Sequence, residues 1–462
     1  MTNKRVTIVL ILLSFMYLSL IGYLTYVEVF QREMLTSHSS NQRNYDYEDV
    51  TRRGTIKDIN GTVLAESVGA VRNYPYKGMY SHIIGYNSVQ YQRSNLEKTF
   101  NDQLLAVSKI SKILGSSTKE YGHNLVLTID HSMQELAYKE LGDRSGCVLA
   151  INPKTGAIIA MVSKPDFDPN EESLAENWNT LVEDDNHPFL ARATSGLYAP
   201  GSTFKMLTAL AAVENGYEDM VFEDNGSVTI NGKIFENQKG KEYGEIGIKD
   251  GFAHSSNVVF GTLGFKLGGS KLFNVARRFG FNDVFDFDLE YMVSKFPQNI
   301  NDDAQEAALA IGQGNMLATP LQMAMVTCGI ANNGVVMKPY IVDRVVSKEN
   351  RVVKKYKPTV LYEASDSLYT TKVVEMMVET VKNGTAKNLE KIKGVTIAGK
   401  TGTSENEKTD SDNNAQHTWF VSFAPAYDPE IVVVVMMEYS GGSGAGNCAP
   451  IARNIIKKYL KK

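Results

Sequence analysis

Ser202 and Lys205, a serine and a lysine three positions apart, carry the strongest chemical signal in the sequence. They open a run, residues 206–215, that is helix-forming and apolar on nearly all sides, and Gly216 is a typical C-terminal cap. The pattern predicts a buried helix with Ser202 in its first turn and Lys205 on the same face. Because burial disfavours a charged amine, Lys205 could accept the serine proton, and the helix N-terminus could stabilise an oxyanion. These residues predict a serine acyl-transfer site.

The spacing alone is weak evidence, because Ser116 and Lys119 show it too, in a polar segment with no helix behind them. A helix N-cap is the plain structural explanation for Ser202. Two further motifs, which follow in the sequence, favour the catalytic interpretation.

The first of these motifs is Ser255-Ser256-Asn257, which precedes an apolar run. Its first hydroxyl could relay a proton to a leaving amine, and the Asn257 amide could hold Lys205 or a substrate backbone. The same pattern also occurs near the predicted membrane segment and in a late polar stretch, at residues 39–41, 404–406 and 411–413. The main alternative is the match at 411–413.

The second motif is Lys400-Thr401-Gly402-Thr403, at the end of a predicted strand. Its glycine removes a side chain where another backbone must approach. An extended peptide could add to this strand, and the cation and the two hydroxyls could bind the peptide carboxylate. Residues 154–156 repeat the Lys-Thr-Gly pattern in a predicted hairpin turn.

The elements that must position these residues are strands near both ends of one region, with mostly helical sequence between them. The β-prone runs are 147–151, 157–162, 418–424 and 431–439, of which the first two read as a hairpin. Helices are predicted at about 132–141 and 450–461. This order predicts an α+β domain whose sheet collects strands from both termini.

Composition excludes several classes of protein. The chain has 462 residues and a net charge of −4, so it offers no basic field that would attract nucleic acid. Its three cysteines lie far apart and its seven histidines are isolated, which excludes a disulfide scaffold and a four-cysteine zinc site. We predict neither a metal nor a cofactor.

Residues 6–27 contain no charge, and a helix of this length would span roughly the 30 Å hydrocarbon layer of a membrane. Lys4 and Arg5 precede it, and positive charge keeps that side cytoplasmic. We therefore predict a cytoplasmic tail at residues 1–5, an uncleaved single-pass anchor at 6–27, and an extracytoplasmic remainder. A buried core helix is the alternative.

Beyond the anchor, the sequence predicts one small and one large domain. Residues 28–122 read as a β-rich pedestal that includes a hairpin around Asn60-Gly61. Residues 123–462 read as the catalytic domain.

Several stretches resemble the class B penicillin-binding proteins, the FtsI and PbpA group of monofunctional peptidoglycan D,D-transpeptidases. The resemblance covers nearly everything after the anchor. Its segments are residues 53–56 with Asn60-Gly61, 128–130, 198–205, 312–314 and 398–403. It implies the penicillin-binding transpeptidase fold, which is like that of serine β-lactamases, on a small pedestal.

The resemblance also implies a mechanism. Ser202 attacks the carbonyl of the penultimate D-Ala of a stem peptide while Lys205 takes its proton, and the terminal D-Ala departs with Ser255 and Asn257 assisting. An amine from a neighbouring stem then resolves the acyl-enzyme into a cross-link.

By the same resemblance, the backbone N–H groups of Ser202 and Thr403 form an oxyanion hole, and the hydroxyls of Thr401 and Thr403 hold the substrate carboxylate. A β-lactam should acylate Ser202 and stay bound. The implied partners are stem peptides ending in D-Ala-D-Ala, β-lactams, the lipid bilayer and a SEDS-type glycosyltransferase.

Three positions depart from the family pattern. Ile59 stands where arginine is usual, and Asn95 and Ala106 stand where glycines are expected. These departures concern the geometry of the pedestal.

Three other functions remain open. The first is a β-lactam-hydrolysing or β-lactam-sensing relative with the same site, and the second is a D,D-carboxypeptidase in which water replaces the acceptor amine. The third is a non-catalytic scaffold in a wall-synthesis complex. The pedestal sequence and the length of the chain argue against the first, and the intact Ser202 and Lys205 argue against the third.

Overall fold

The computed structural model describes residues 4–27, 30, 52–69, 71–107, 121–300, 302–406 and 415–461. Its first element is helix α1 (Lys4–Tyr26), whose 23 residues are mostly apolar and lie exposed. At about 1.5 Å per residue, this helix is long enough to cross a bilayer. Within the described residues it is the one helix with the length and composition of a membrane span.

The next elements are short strands and helices of one turn or little more. The strands are β1 (Ile56–Lys57), β2 (Val63–Val68), β3 (Val71–Asn73), β4 (Asn87–Ser88) and β5 (Gln92–Arg93), and the helices are α2 (Ser81–Ile84), α3 (Asn95–Thr99) and α4 (Asn101–Leu104). Strands β1 and β2 pair antiparallel on either side of Asn60 and Gly61, and Gly61 has a φ of 97°. The predicted hairpin is confirmed.

Two positions where the family pattern has glycine adopt backbone that favours glycine. Asn95 and Ala106 have φ values of 48° and 51°, in the left-handed region that other side chains rarely adopt. Asparagine visits this region more readily than alanine does. Ala106 therefore holds a strained backbone conformation that costs about 1–2 kcal/mol.

The rest of the chain mixes strands and helices. Its strands are β6 (Asn124–Leu127), β7 (Gly146–Ile151), β8 (Ile158–Lys164), β9 (Val221–Asp224), β10 (Ser227–Ile230), β11 (Lys233–Glu236), β12 (Gly244–Gly247), β13 (Val335–Met337), β14 (Val342–Val346), β15 (Val352–Lys355), β16 (Val360–Glu363), β17 (Ala398–Ser404), β18 (His417–Ala424) and β19 (Ile431–Met437). Its helices are α5 (His131–Leu141), α6 (Glu171–Glu183), α7 (Arg192–Ser195), α8 (Lys205–Glu214), α9 (Ile248–Ala253), α10 (Asn257–Leu267), α11 (Gly269–Arg278), α12 (Asp303–Ala310), α13 (Pro320–Ala331), α14 (Ser367–Lys382), α15 (Gly444–Asn447) and α16 (Ala449–Tyr459). Short 3₁₀ turns lie at Lys77–Tyr80, Gly201–Thr203 and Gln238–Gly240.

A five-stranded antiparallel sheet in the order β17-β18-β19-β7-β8 forms the centre of this region. It takes strands from both ends of the region, and the predicted hairpin of β7 and β8 is present. Successive side chains of a strand point to opposite faces, and both faces of this sheet are covered. Helix α13 packs on one face, and α5 and α16 pack on the other. The predicted α+β arrangement is confirmed, with β17 at the sheet edge.

A second sheet joins the predicted pedestal to the catalytic region. Its order is β15-β14-β6-β1-β2-β3, so strands from both sides of residue 122 lie in one sheet. Strand β1 pairs in parallel with β6, and the Gly122 N–H donates to Arg52 O at 2.7 Å. The two predicted domains share this sheet, and their limits at residues 28–122 and 123–462 stay a prediction.

Candidate active site

The segment that carries Ser202 is a tight turn at the start of a buried helix. Ser202 lies in the 3₁₀ turn Gly201–Thr203, and α8 begins at Lys205. The prediction that Ser202 lies in the first α-helical turn is therefore wrong. Gly201 has a φ of 53°, outside the α-helical region, and its N–H donates to Gly312 O at 2.9 Å. The turn that follows closes with an i→i+3 bond from the Phe204 N–H to Gly201 O at 2.9 Å.

Close backbone packing fixes this turn in place. A Cβ atom on Gly402 would lie 2.9 Å from Thr203 Cγ2, and one on Gly312 would lie 1.9 Å from Gly201 O. Each glycine admits a neighbouring segment, as the sequence predicted for Gly402. Strand β17 and the loop at Gly312 therefore both pack directly against the turn that carries Ser202.

The Lys205 side chain is fully buried, and among the described residues its amine hydrogen-bonds with oxygen atoms of residues 255–257. Lys205 Nζ lies 2.7 Å from Asn257 Oδ1 and 2.8 Å from Ser255 O. A neutral amine has two N–H bonds, and these two short contacts would use both and leave its lone pair for a proton. Among the described residues no hydrogen bond joins Ser202 to Lys205.

Burial and a neighbouring cation determine the protonation of the two lysines. Burial lowers the pKa of Lys205 well below 10.5, the Lys400 ammonium lowers it further, and the Asp224 carboxylate opposes both effects. Burial also lowers the pKa of Lys400 to about 7. These shifts favour the neutral amine at Lys205 that general-base chemistry requires.

Ser255 stands between the two lysines. Its Oγ lies 2.9 Å from Lys400 Nζ and 3.4 Å from Lys205 Nζ. Its φ is 60°, a left-handed conformation that costs a non-glycine residue about 1–2 kcal/mol. Strain of this kind is typical of functional sites, and here it accompanies a hydroxyl that reaches both amines.

Asn257 begins helix α10, and its amide joins two elements. Its Oδ1 accepts from Lys205, and its Nδ2 donates to Glu236 O at 2.7 Å. Its backbone N–H donates to Asn237 Oδ1, also at 2.7 Å. The sequence offered two partners for this amide, and the structure shows the contact with Lys205.

The Lys-Thr-Gly segment lies inside edge strand β17. Lys400 is fully buried, and its Nζ contacts Ser255 Oγ and Thr401 O, the latter at 3.1 Å. Thr401 Oγ1 lies 2.7 Å from Thr385 Oγ1. A direct contact between Lys400 and a substrate carboxylate stays a prediction, because in this structure the amine is directed at Ser255.

One groove of about 1180 Å³ brings the predicted residues together. Those that line it are Ser202, Ser255, Asn257, Thr401, Gly402 and Thr403. Lys205 and Lys400 lie buried and contact lining residues. The volume exceeds the roughly 300–1,000 Å³ of small-ligand pockets, which is consistent with an extended substrate.

Several lining residues were not identified by the sequence analysis. Thr385 and Tyr243 reach the groove from separate parts of the chain, whereas Gln313, which also lines it, lies in the segment 312–314, a candidate for the site or for a structural turn. Only Gln313 lies in a segment that resembles the family, and no local pattern marks the other two. His254 also lines the groove, where its ring stacks on Tyr243 with centroids 4.9 Å apart. Within the described residues no cluster of histidine, cysteine and acidic side chains could hold a metal ion.

The competing motif matches occupy other places. Residues 154–156 lie in the turn between β7 and β8, as predicted. Ser404, which begins the match at 404–406, is buried at the end of β17. The matches at 39–41, 116–119 and 411–413 lie outside the described residues.

Comparisons with protein families give two matches. Residues 146–457 match the family described as penicillin binding protein transpeptidase domain. Residues 53–119 match the family described as penicillin binding protein A dimerisation domain. Together the two matches cover most of the chain after α1.

Individual proteins are similar over nearly the whole chain. The peptidoglycan D,D-transpeptidase PbpA of Mycolicibacterium smegmatis is 30% identical, over 99% of this chain and 99% of the relative. The solved structure of penicillin-binding protein A from Mycobacterium tuberculosis, as a ceftriaxone acyl-enzyme complex, has a TM-score of 0.82 and 29% identity, with 89% of this chain and 99% of that chain covered. The D,D-transpeptidase domain from Eggerthella lenta has a TM-score of 0.79 and 34% identity, with 89% and 99% covered.

Proposed function

This chain belongs to the penicillin-binding protein transpeptidases, and from that premise we propose that it is a peptidoglycan D,D-transpeptidase with Ser202 as its nucleophile. The penicillin-binding transpeptidase fold predicted from the sequence is confirmed by the same comparisons. The observation that carries the residue assignment is the groove itself. It exposes the Ser202 side chain next to Ser255 and Asn257, which hold the buried Lys205 amine.

In the acylation step, Ser202 Oγ attacks the carbonyl carbon of the penultimate D-Ala, and the Ser202 proton passes to the Lys205 lone pair. The bond to the terminal D-Ala nitrogen then breaks, and this nitrogen takes a proton through Ser255. The contacts of Ser255 Oγ with both lysines support a relay role. An amine of a second stem peptide attacks the resulting ester, forms the cross-link and frees Ser202.

Two backbone N–H groups, those of Ser202 and Thr403, are the proposed donors to the oxyanion. The packing of Gly402 against Thr203, which brings β17 to the Ser202 turn, supports this pairing. A preorganised donor of this kind contributes about 3 kcal/mol to transition-state stabilisation.

The substrate carboxylate is assigned to the hydroxyls of Thr401 and Thr403. Both threonines line the groove on edge strand β17, where an extended peptide can pair with the backbone. The contact of Thr401 with Thr385 orients one of these hydroxyls. Lys400 adds positive charge behind this strand and acts on Ser255.

A β-lactam is expected to acylate Ser202, since its strained amide takes the place of the D-Ala-D-Ala bond. The similar protein from Mycobacterium tuberculosis was solved as a ceftriaxone acyl-enzyme. Slow hydrolysis of the ester would then keep the drug in place.

The proposed location is the cell membrane, with α1 as a single-pass anchor and the catalytic region outside. The apolar length of α1 and the positive charges of Lys4 and Arg5 support this orientation. A SEDS-type glycan polymerase is the proposed partner in the membrane. We also propose residues 28–122 as the pedestal and 123–462 as the transpeptidase domain.

Labelling with a fluorescent penicillin tests the nucleophile. Wild type and Ser347→Ala, a control in the turn between β14 and β15, should be labelled covalently, and Ser202→Ala should not. Equal labelling of Ser202→Ala would contradict the assignment of Ser202. Absence of label on the wild type would favour the scaffold alternative.

Product analysis separates the remaining alternatives. Incubation with lipid-linked glycan and an acceptor stem should yield cross-linked dimers. Release of D-Ala without cross-links would indicate a carboxypeptidase. Rapid release of hydrolysed penicillin would indicate a β-lactamase.

A further inference from the structure

A buried carboxylate outside the motifs lies behind the Ser255-Ser256-Asn257 turn. Asp224, at the end of β9, is fully buried. Its Oδ1 accepts from Asn237 Nδ2 at 2.7 Å and from the Gly226 N–H at 3.0 Å, and its Oδ2 accepts from the Ser256 hydroxyl at 2.6 Å. A buried carboxylate with this set of donors is held in one geometry.

The partners of Asp224 lead directly to the site. The Ser256 hydroxyl caps helix α10 by accepting from the Val259 N–H at 3.0 Å. Asn237, oriented by the carboxylate, accepts from the Asn257 N–H at 2.7 Å. Both bonds fix the turn that begins α10 and presents its hydroxyl and amide to the lysines.

The last contact in this series reaches the proposed general base. Asn257 Oδ1 accepts from Lys205 Nζ at 2.7 Å, and Ser256 O lies 3.3 Å from the same nitrogen. Two side-chain contacts, those of Ser256 Oγ and Asn237 Nδ2, therefore link the carboxylate of Asp224 to Ser256 and Asn257, two of the three residues that Lys205 Nζ contacts.

We propose that Asp224, through Ser256 and Asn237, is a positioning residue for the reaction, which holds the Ser255–Asn257 turn in shape and places a buried carboxylate behind it. The inference rests on the proposed function, in which Lys205 takes the proton of Ser202. Asp224 is not among the described residues that line the groove, and its hydrogen bonds are to Gly226, Asn237 and Ser256 rather than to Lys205. Its role is to hold the residues that contact Lys205.

The effect of the Asp224 charge on Lys205 distinguishes this positioning role from a purely structural one. The charged groups that act on Lys205 are Lys400 from β17, which lowers the pKa of the Lys205 amine, and Asp224 from β9, which raises it. Removing the carboxylate charge should therefore lower the pKa of Lys205 further. Acylation requires the neutral amine, so its rate should begin to rise at a lower pH.

Asp224→Asn is the informative variant, because it loses the charge while the amide oxygen can still accept from Gly226 and Asn237 and the amide nitrogen can donate to Ser256 Oγ. Asp224→Ala removes both the bonds and the charge. Asp288→Asn is the matched control, because Asp288 is a carboxylate that accepts from two backbone N–H groups, those of Ile341 and Val342, outside the groove.

The experiment measures the second-order rate of acylation by a fluorescent penicillin against pH, with the full chain in detergent. We expect the acid limb of the Asp224→Asn profile to lie at lower pH than that of wild type and of Asp288→Asn. We expect the maximal acylation rate of Asp224→Ala to fall on the order of 10²-fold, because a misplacement of catalytic groups by about 1 Å can slow a reaction by that factor.

An acid limb of Asp224→Asn that stays in place or moves to higher pH would overturn the proposal, whatever happens to its rate. If Asp224→Ala does not fold, Asp224→Asn still decides the question. Failure of wild type to be labelled would instead refute the proposed function on which this inference rests.

Discussion

Replacing Ser255 separately by alanine and by glycine separates backbone strain from chemistry. Both variants lose the hydroxyl that contacts Lys400 at 2.9 Å and Lys205 at 3.4 Å. Only alanine keeps a Cβ at the φ of 60° observed for this residue. The difference in stability between the two variants therefore measures the cost of the left-handed backbone.

The expected magnitudes follow from this geometry. A non-glycine residue in the left-handed region costs about 1–2 kcal/mol. A domain of this size shifts its melting temperature by about 1–1.5 °C per kcal/mol. Ser255→Gly should therefore melt about 1–3 °C above Ser255→Ala. Both variants should lose acylation by about 10²- to 10⁴-fold, the usual contribution of a positioned proton-transfer group.

Two assays on purified full-length variants check these values. Thermal unfolding compares the melting temperatures, and the rate of fluorescent-penicillin labelling compares the chemistry. Equal melting temperatures would refute the claim that Ser255 is strained. Labelling of either variant within a few-fold of wild type would refute the relay role of Ser255.

Three further variants test other parts of the structure. Lys400→Met removes the cation that lowers the pKa of Lys205, so the acid limb of the acylation profile should move to higher pH. This shift is opposite to the one expected for Asp224→Asn. An unchanged acid limb would contradict the effect of Lys400 on the Lys205 pKa. Ala106→Gly should raise the free energy of unfolding, measured by denaturant titration, by about 1 kcal/mol, because glycine adopts a φ of 51° without strain. A loss of stability would refute the claim that the backbone at Ala106 is strained. Gly312→Ala places a Cβ 1.9 Å from Gly201 O, in the turn that carries Ser202, so the rate of penicillin labelling should fall at least tenfold. Labelling at the wild-type rate would show that this packing is unimportant for the reaction.

The central sheet could be predicted because its signals are local. Strands β7, β8, β18 and β19 are runs of β-branched and apolar residues bounded by turns, and such runs favour strands. The turn at Gly61 is predictable for the same reason, because the Asn-Gly pair itself favours positive φ.

The start of helix α8 could not be predicted, because it depends on a partner distant in the sequence. Residues 201–204 have no helix-breaking residue other than Gly201, whose positive φ and bond to Gly312 O accompany the tighter turn. The sheet that crosses residue 122 is also a long-range arrangement, since β1 pairs with β6 and β6 with β14.

The residues of the candidate site also differ in whether the sequence could predict them. Motif spacing identified Ser202, Lys205 and Ser255, whose residue types carry the chemistry. Asp224 and Thr385 have no distinctive neighbours in the sequence, and only the folded chain brings them to the second and third motifs.

The most direct test of the central claim is the mass-spectrometric location of the penicillin adduct. Trypsin cleavage after Arg192 and Lys205 would place Ser202 in a peptide of residues 193–205. The account predicts one added penicillin mass on this peptide, with fragment ions that assign it to Ser202. An adduct on Ser255, or on any residue other than Ser202, would contradict it.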